Sequence, residues 1–182
     1  RRIVRNKTFV YDLRIYVRRG AYPMVDSHEQ AAGPVVSRRV LRGFTPARFT
    51  AVRKPQMTVS DLARITGVAG TTIYGWESGH ASPQVDKLAA AMKVLGHPIE
   101  EVVLSPPDQR FPSDWRVLAG FTQPQLAAAA SMPTATLQKI ERRESLVSDE
   151  RASILGKILD ITGDEYRAAW QRVRERPPGT PA

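Results

Sequence analysis

The sequence contains no cysteine, which excludes a disulfide framework and a thiolate metal site. Its three histidines, His28, His80 and His97, are too scattered to suggest a metal site. The longest apolar runs fall far short of the 18 residues that mark a membrane-spanning helix. There is no glycine-rich loop to cradle a phosphate, and Ser60, Asp61 and His80 do not make a nucleophile set. Glu100 with Glu101, and Asp164 with Glu165, are neighbouring acids on predicted helices. They point in different directions and read as first-turn charges, not as paired carboxylates. No catalytic constellation and no cofactor follow from these residues, so the chain does not read as an enzyme.

What the sequence does have is positive charge, +9 over 182 residues, unevenly placed. Residues 1–23 hold seven basic side chains against the single acid Asp12, a net of +6, which leaves +3 for the rest. The body is close to balanced, so any affinity for nucleic acid has to come from local placement and not from bulk charge. Residues 1–23 read either as a basic arm with mild strand alternation over Thr8–Val17, or as a segment preceding a start at Met24.

The organising feature is an internal repeat. Residues 58–79, TVSDLARITGVAGTTIYGWESG, are echoed without a gap at an offset of 64 by residues 122–143, TQPQLAAAASMPTATLQKIERR. From Thr58 to Glu101 the two copies share 8 identities, and the apolar, capping and acidic positions coincide. In the first copy Thr58 with Asp61 approximates a capping box. Leu62, Ala63 and Ile65 give an apolar face, and Gly67 ends the helix. Val68 plugs the turn, and Ile73 with Trp76 form the inner face of a second short helix. In the second copy the same roles fall to Thr122 with Gln125, Leu126, Ala127, Met132, Leu137 and Ile140. Helix, short turn, helix is the helix-turn-helix motif. Small Ala63 and Ala127 suit two closely crossing helices.

These residues resemble the lambda-repressor-like family, the Cro/CI or XRE-type helix-turn-helix proteins. The first copy carries T-x-x-x-L-A, the turn at Gly67–Val68, T-T-I-x-x-W-E-x-G, and then Pro83 ahead of a helix with Leu88, Ala91 and Leu95–Gly96. The second carries G-F-T-Q-x-x-L-A and T-x-x-L-x-x-I-E-R. The resemblance covers roughly residues 44–176 and implies an all-α chain of two tandem five-helix lambda-repressor-like DNA-binding domains. It also implies a transcriptional regulator of bacterial, phage or plasmid origin, working in the cytoplasm. Glu77 and Glu141 would each pair with an arginine of helix 1. Arg116, six residues before Thr122, stands where the family places it. In the first copy that register holds Val52, with Arg53 one residue on, so Glu77 is left without an assigned partner.

In chain order, residues 1–43 form an N-terminal segment, with Val35–Leu41 read as a candidate helix. The first domain spans 44–104. Its helix 1 is expected over Pro46–Lys54 with Phe49 and Val52 inward, and Ser82 caps helix 4 with Pro83 in its first turn. Pro98–Leu104 forms a short fifth helix. A proline-stiffened linker, 105–112, restricts the domains' relative orientation. The second domain, 113–176, has helices expected at Ser113–Ala119 (Trp115 and Leu118 inward), Gln123–Ala130, Thr134–Arg142, Ser148–Leu159 and Asp164–Arg176. The last buries Tyr166, Ala169, Trp170 and Val173, and a tail, 177–182, follows.

In this motif the second helix enters the major groove. Its outward positions are Gly70, Thr71, Thr72, Tyr74 and Gly75 in the first domain, and Thr134, Ala135, Thr136, Gln138 and Lys139 in the second. The start of helix 2 adds Val59 and Gln123. Gln pairs with adenine, Lys reaches guanine, and Thr or Ala methyls touch the thymine methyl. Tyr74, Ser78, His80, Arg142 and Arg143 fall where backbone phosphates are expected, contacts that position without specifying. The same residues also read as ordinary surface, and Arg142 and Arg143 as a solvated helix end. Double-stranded DNA is therefore the expected partner, and no membrane is. One chain would act as a pseudo-dimer and a homodimer would present four recognition helices. The rival reading is an antitoxin-like or adaptor module whose second domain binds a protein. It requires an exposed apolar patch at Tyr166 and Trp170.

Overall fold

Nine α-helices follow one another along residues 41–175, the part of the chain that the computed structural model describes, with side chains to Val173. They are α1 (Pro46–Arg53), α2 (Val59–Thr66), α3 (Gly70–Glu77), α4 (Val85–Leu95), α5 (Pro112–Leu118), α6 (Gln123–Ala129), α7 (Thr134–Glu141), α8 (Asp149–Ile158) and α9 (Gly163–Glu175). The strand alternation expected over 8–17 and the tail from Pro177 lie outside the described residues. So does the helix expected over 35–41, apart from Leu41, which is not helical.

The offset of 64 holds in three dimensions: α2, α3 and α4 begin 64 residues before α6, α7 and α8. Thr58 and Thr122 cap α2 and α6, each accepting a hydrogen bond from the backbone N–H three residues on, at Asp61 and Gln125. In the first domain Phe49, Leu62, Ile73, Trp76 and Leu88 are almost wholly buried, with the Phe49 and Trp76 rings edge-on at 5.6 Å. In the second, Leu126, Leu137, Ile140, Leu155 and Tyr166 form the equivalent core. Leu88 and Ala91 of α4 become Ala152 and Leu155 of α8, all four fully buried. Large and small side chains exchange places along one helix face, so core volume is kept.

Several local expectations are corrected. Ile65 is half exposed, and the inner face of α2 is Val59 and Leu62 with the partly buried Ala63, closed by Val68. Ser82 does not cap α4, which begins only at Val85 after the N-cap Gln84. The Ser82 hydroxyl accepts the Leu41 N–H at 2.6 Å. The fifth helix of the first domain shrinks to one 3-10 turn, Ile99–Glu101, after which Val103 makes an isolated antiparallel bridge with Phe44. Thr45 N–H donates to the Val102 carbonyl and Leu104 N–H to the Gly43 carbonyl. The corresponding helix of the second domain, α9, runs for 13 residues and buries Tyr166, Ala169, Trp170 and Val173.

The described residues belong to one compact unit. The linker contributes a 3-10 turn, Pro107–Gln109. Val117 and Leu118 of α5 pack into the first domain's core, so Leu118 faces inward toward the neighbouring domain. Arg42 pairs with Asp114 at 3.1 Å, and Arg110 pairs with Glu100 at 2.9 Å. A Cβ on Gly120 would lie 2.9 Å from the Ala89 Cβ, so glycine is what lets the loop before Thr122 rest on α4.

Candidate nucleic-acid interface

The position of each helix pair is set from beneath by one buried ion pair. In the second domain Arg116 Nε donates to Glu141 Oε1 at 2.6 Å, with Arg116 8% and Glu141 3% exposed. In the first domain Arg53 Nε donates to Glu77 Oε1 at 2.7 Å. The partner of Glu77 is therefore Arg53, despite its shift in register. Arg53 stands five residues before its capping threonine, Thr58, and Arg116 six before Thr122, yet both arginines reach the equivalent glutamate. Arg53 also donates to the Met57 carbonyl and Arg116 to the Phe121 carbonyl, each at 3.0 Å and each just before the capping threonine. One guanidinium thus ties the end of the first helix, the start of the second and the end of the third.

With Ile73 and Trp76, or Leu137 and Ile140, turned into the core, the opposite face of α3 or α7 turns out. Thr71 and Tyr74 are exposed on α3, Tyr74 by 58%, with Gly70 and Thr72 on the flanks. Thr134, Ala135 and Lys139 are exposed on α7, with Thr136 and Gln138 half-buried beside them. Ser78, His80 and Arg142 are exposed after the helix ends. Ser78 Oγ donates to the Gly75 carbonyl at 3.2 Å and lies 2.9 Å from His80 Nδ1. Glu144 lies 3.9 Å from Arg142, too far to neutralise it strongly in solvent.

Four of the expected contact residues are differently placed. Val59 is only 5% exposed and belongs to the core, because the first turn of α2 leans onto α3. Gly75 is half-buried beneath the loop that follows, and a Cβ there would lie 3.2 Å from the Ala81 Cβ. Gln123 is half-buried, its Nε2 donating to Glu141 Oε2 at 2.7 Å, so it completes the buried ion pair. Arg143 stacks its guanidinium 4.5 Å above the Trp170 ring and packs the second domain together. What remains outward is Thr71 with Tyr74 on α3, and Thr134, Ala135 and Lys139 on α7.

The arrangement offers hydroxyls, methyls, a phenol and an ammonium on two equivalent convex helix faces. That is the chemistry of base-edge and phosphate contact. Among the described residues no group of three or more His, Asp or Glu side chains is placed to hold a metal, and no helix is long and apolar enough to cross a membrane. A family model described as helix-turn-helix matches the chain twice, over residues 51–102 and 113–166. Comparison with curated proteins and with solved structures finds no match. The two matches bracket the two helix pairs and together span more than half of the sequence, and so the chain belongs to the helix-turn-helix family, in its lambda-repressor-like form, with two copies in tandem.

Proposed function

We propose that the chain is a sequence-specific regulator that binds double-stranded DNA and represses transcription by occupying a promoter, in the cytoplasm of a bacterial cell. In this reading α3 and α7 lie in the major groove. Thr71, Tyr74, Thr134, Ala135 and Lys139 meet base edges, and Ser78, His80 and Arg142 meet phosphates. The observation that carries it is the pair of equivalent outward faces, each at the heart of a helix-turn-helix match. One chain brings two such helices, and a homodimer would bring four.

The adaptor reading depends on an exposed apolar patch on the last helix. Tyr166 is 0% and Trp170 8% exposed, covered by the chain's own residues, which counts against it. Selection from a random duplex pool tests the DNA reading. A recurrent sequence whose affinity falls steeply with added salt supports it, because phosphate contacts release counterions. Failure to enrich any sequence at moderate salt contradicts it.

A further inference from the structure

The two domains touch through unlike surfaces. The first contributes α4 and the turn after it, where Ala89 and Ile99 lie 2.9 and 3.5 Å from a Cβ placed on Gly120. The second contributes α5 and the loop after it, with Val117 packed into the first domain's core. A two-fold relation between the domains would make every contact reciprocal. The counterpart of Ala89 in the second domain is Ser153. The counterpart of Val117 in the first, in the register set by Arg53 and Arg116, is Lys54. Ser153 and Lys54 are both exposed, so the reciprocal contact is not made. The contact is head-to-tail, and polar side chains stand where it would otherwise repeat.

That asymmetry bears on the DNA. Half-sites in inverted orientation mirror a two-fold axis in the protein. Domains stacked head-to-tail have no such axis, and Val117 set in the first domain's core with Gly120 on Ala89, reinforced by Arg42–Asp114, holds them in that relation. We propose that α3 and α7 dock with the same polarity along the duplex, so that this chain reads its two half-sites as a direct arrangement and not an inverted one. The inference rests on the DNA-binding reading above.

Tethered cleavage distinguishes the two arrangements, and the absence of cysteine makes labelling selective. Ile65 and Ala129 are equivalent positions 64 residues apart, both exposed and outside the contact residues. Ile65→Cys and Ala129→Cys, each in the full chain, are coupled to a hydroxyl-radical-generating chelate and bound to the duplex enriched by selection. Substitutions at such surface positions are expected to leave affinity within about twofold. The expected result is two cleavage centres displaced toward the same end of their respective half-sites. Centres displaced toward opposite ends overturn the inference and leave DNA binding intact. Cleavage from only one of the two labelled proteins overturns it as well, since one domain is then off the DNA. If selection enriches no duplex, the DNA-binding reading itself fails.

Discussion

Gly79 and Arg143, 64 residues apart, adopt the same left-handed backbone conformation, with φ of +73° and +59°. The match extends to Gly67 with Ser131 and to Gly96 with Asp160. Each helix end that the first domain closes with glycine is closed in the second by a residue with a side chain. A non-glycine residue there costs roughly 1–2 kcal/mol, while glycine adds back roughly 0.5–1 kcal/mol of chain entropy. Ser131→Gly is therefore expected to stabilise the second domain by about 0.5–1 kcal/mol. Arg143→Gly relieves the same strain but loses the stacking on Trp170, and is expected to be close to neutral. Arg143→Ala keeps the strain and loses the stacking, so it destabilises. Urea unfolding of the three variants gives the order.

The two arginine–glutamate pairs differ in depth, and their removal should differ in cost. Glu141 accepts from Arg116 Nε and Nη2 and from Gln123 Nε2, within a site from which water is excluded. Glu141→Ala leaves Arg116 buried and uncompensated, a loss of about 3–5 kcal/mol. In a domain of this size that is comparable with the whole stability. Glu77→Ala is expected to cost less, because the Arg53 and Glu77 side chains keep 10% and 14% of their exposure. Thermal unfolding followed by circular dichroism checks the ranking.

Tyr166 carries a specific alkaline sensitivity. Its ring is fully buried and its hydroxyl has no hydrogen-bond partner among the described residues. Burial, with the nearby Glu141 carboxylate second, pushes the phenol well above its ordinary range, against a smaller opposing effect of Arg116. The folded state thus holds this proton more tightly than the unfolded state. The stability gained is fully present below about pH 10 and is lost as pH rises beyond it. Tyr166→Phe should be neutral or slightly stabilising at pH 7 and should flatten the alkaline fall. Unfolding midpoints measured between pH 8 and 11 decide it.

Glu165 gives the opposite dependence at low pH. Its carboxylate accepts the Thr162 N–H at 2.7 Å and the Thr162 hydroxyl at 2.9 Å, closing a capping box on α9, and the backbone bond is the main cause of its lowered pKa. That contribution is present above the ordinary carboxylate range and fades as pH falls through the lowered value. The group is exposed, so the effect is confined to fraying of α9. Glu165→Gln should leave neutral stability nearly unchanged and weaken the acid dependence of amide exchange in the first turn of α9.

Much of this architecture was legible in the sequence because the repeat constrains it twice. Thr58 and Thr122 announce their helices by composition, and Ile73, Trp76, Leu137 and Ile140 announce the core by spacing. What escaped is what depends on neighbours in space. Periodicity cannot say that the first turn of α2 leans inward, so Val59 read as surface and Ile65 as core. Gln123 and Arg143 have side chains suited to DNA, and only the nearness of Glu141 and Trp170 turns them to structural work. Register alone separated Arg53 from Glu77, because Arg53 stands one residue nearer its capping threonine than Arg116 does, a difference the backbone absorbs before the ion pair forms. The head-to-tail contact left no periodic signal at all: Ala89 and Gly120 are single small residues whose meaning appears only when they face each other.

In the proposed function the outward faces of α3 and α7 read DNA. The most direct test is footprinting of the selected duplex by the unaltered chain, by Thr71→Ala with Tyr74→Ala, and by Thr134→Ala with Lys139→Ala. These side chains are exposed, so the fold should survive both changes. Loss of base-edge contacts worth about 1–3 kcal/mol each should abolish protection of one half-site in the first variant and of the other half-site in the second. Protection unchanged in both variants would contradict that reading and assign the DNA contact, or the function, to another surface.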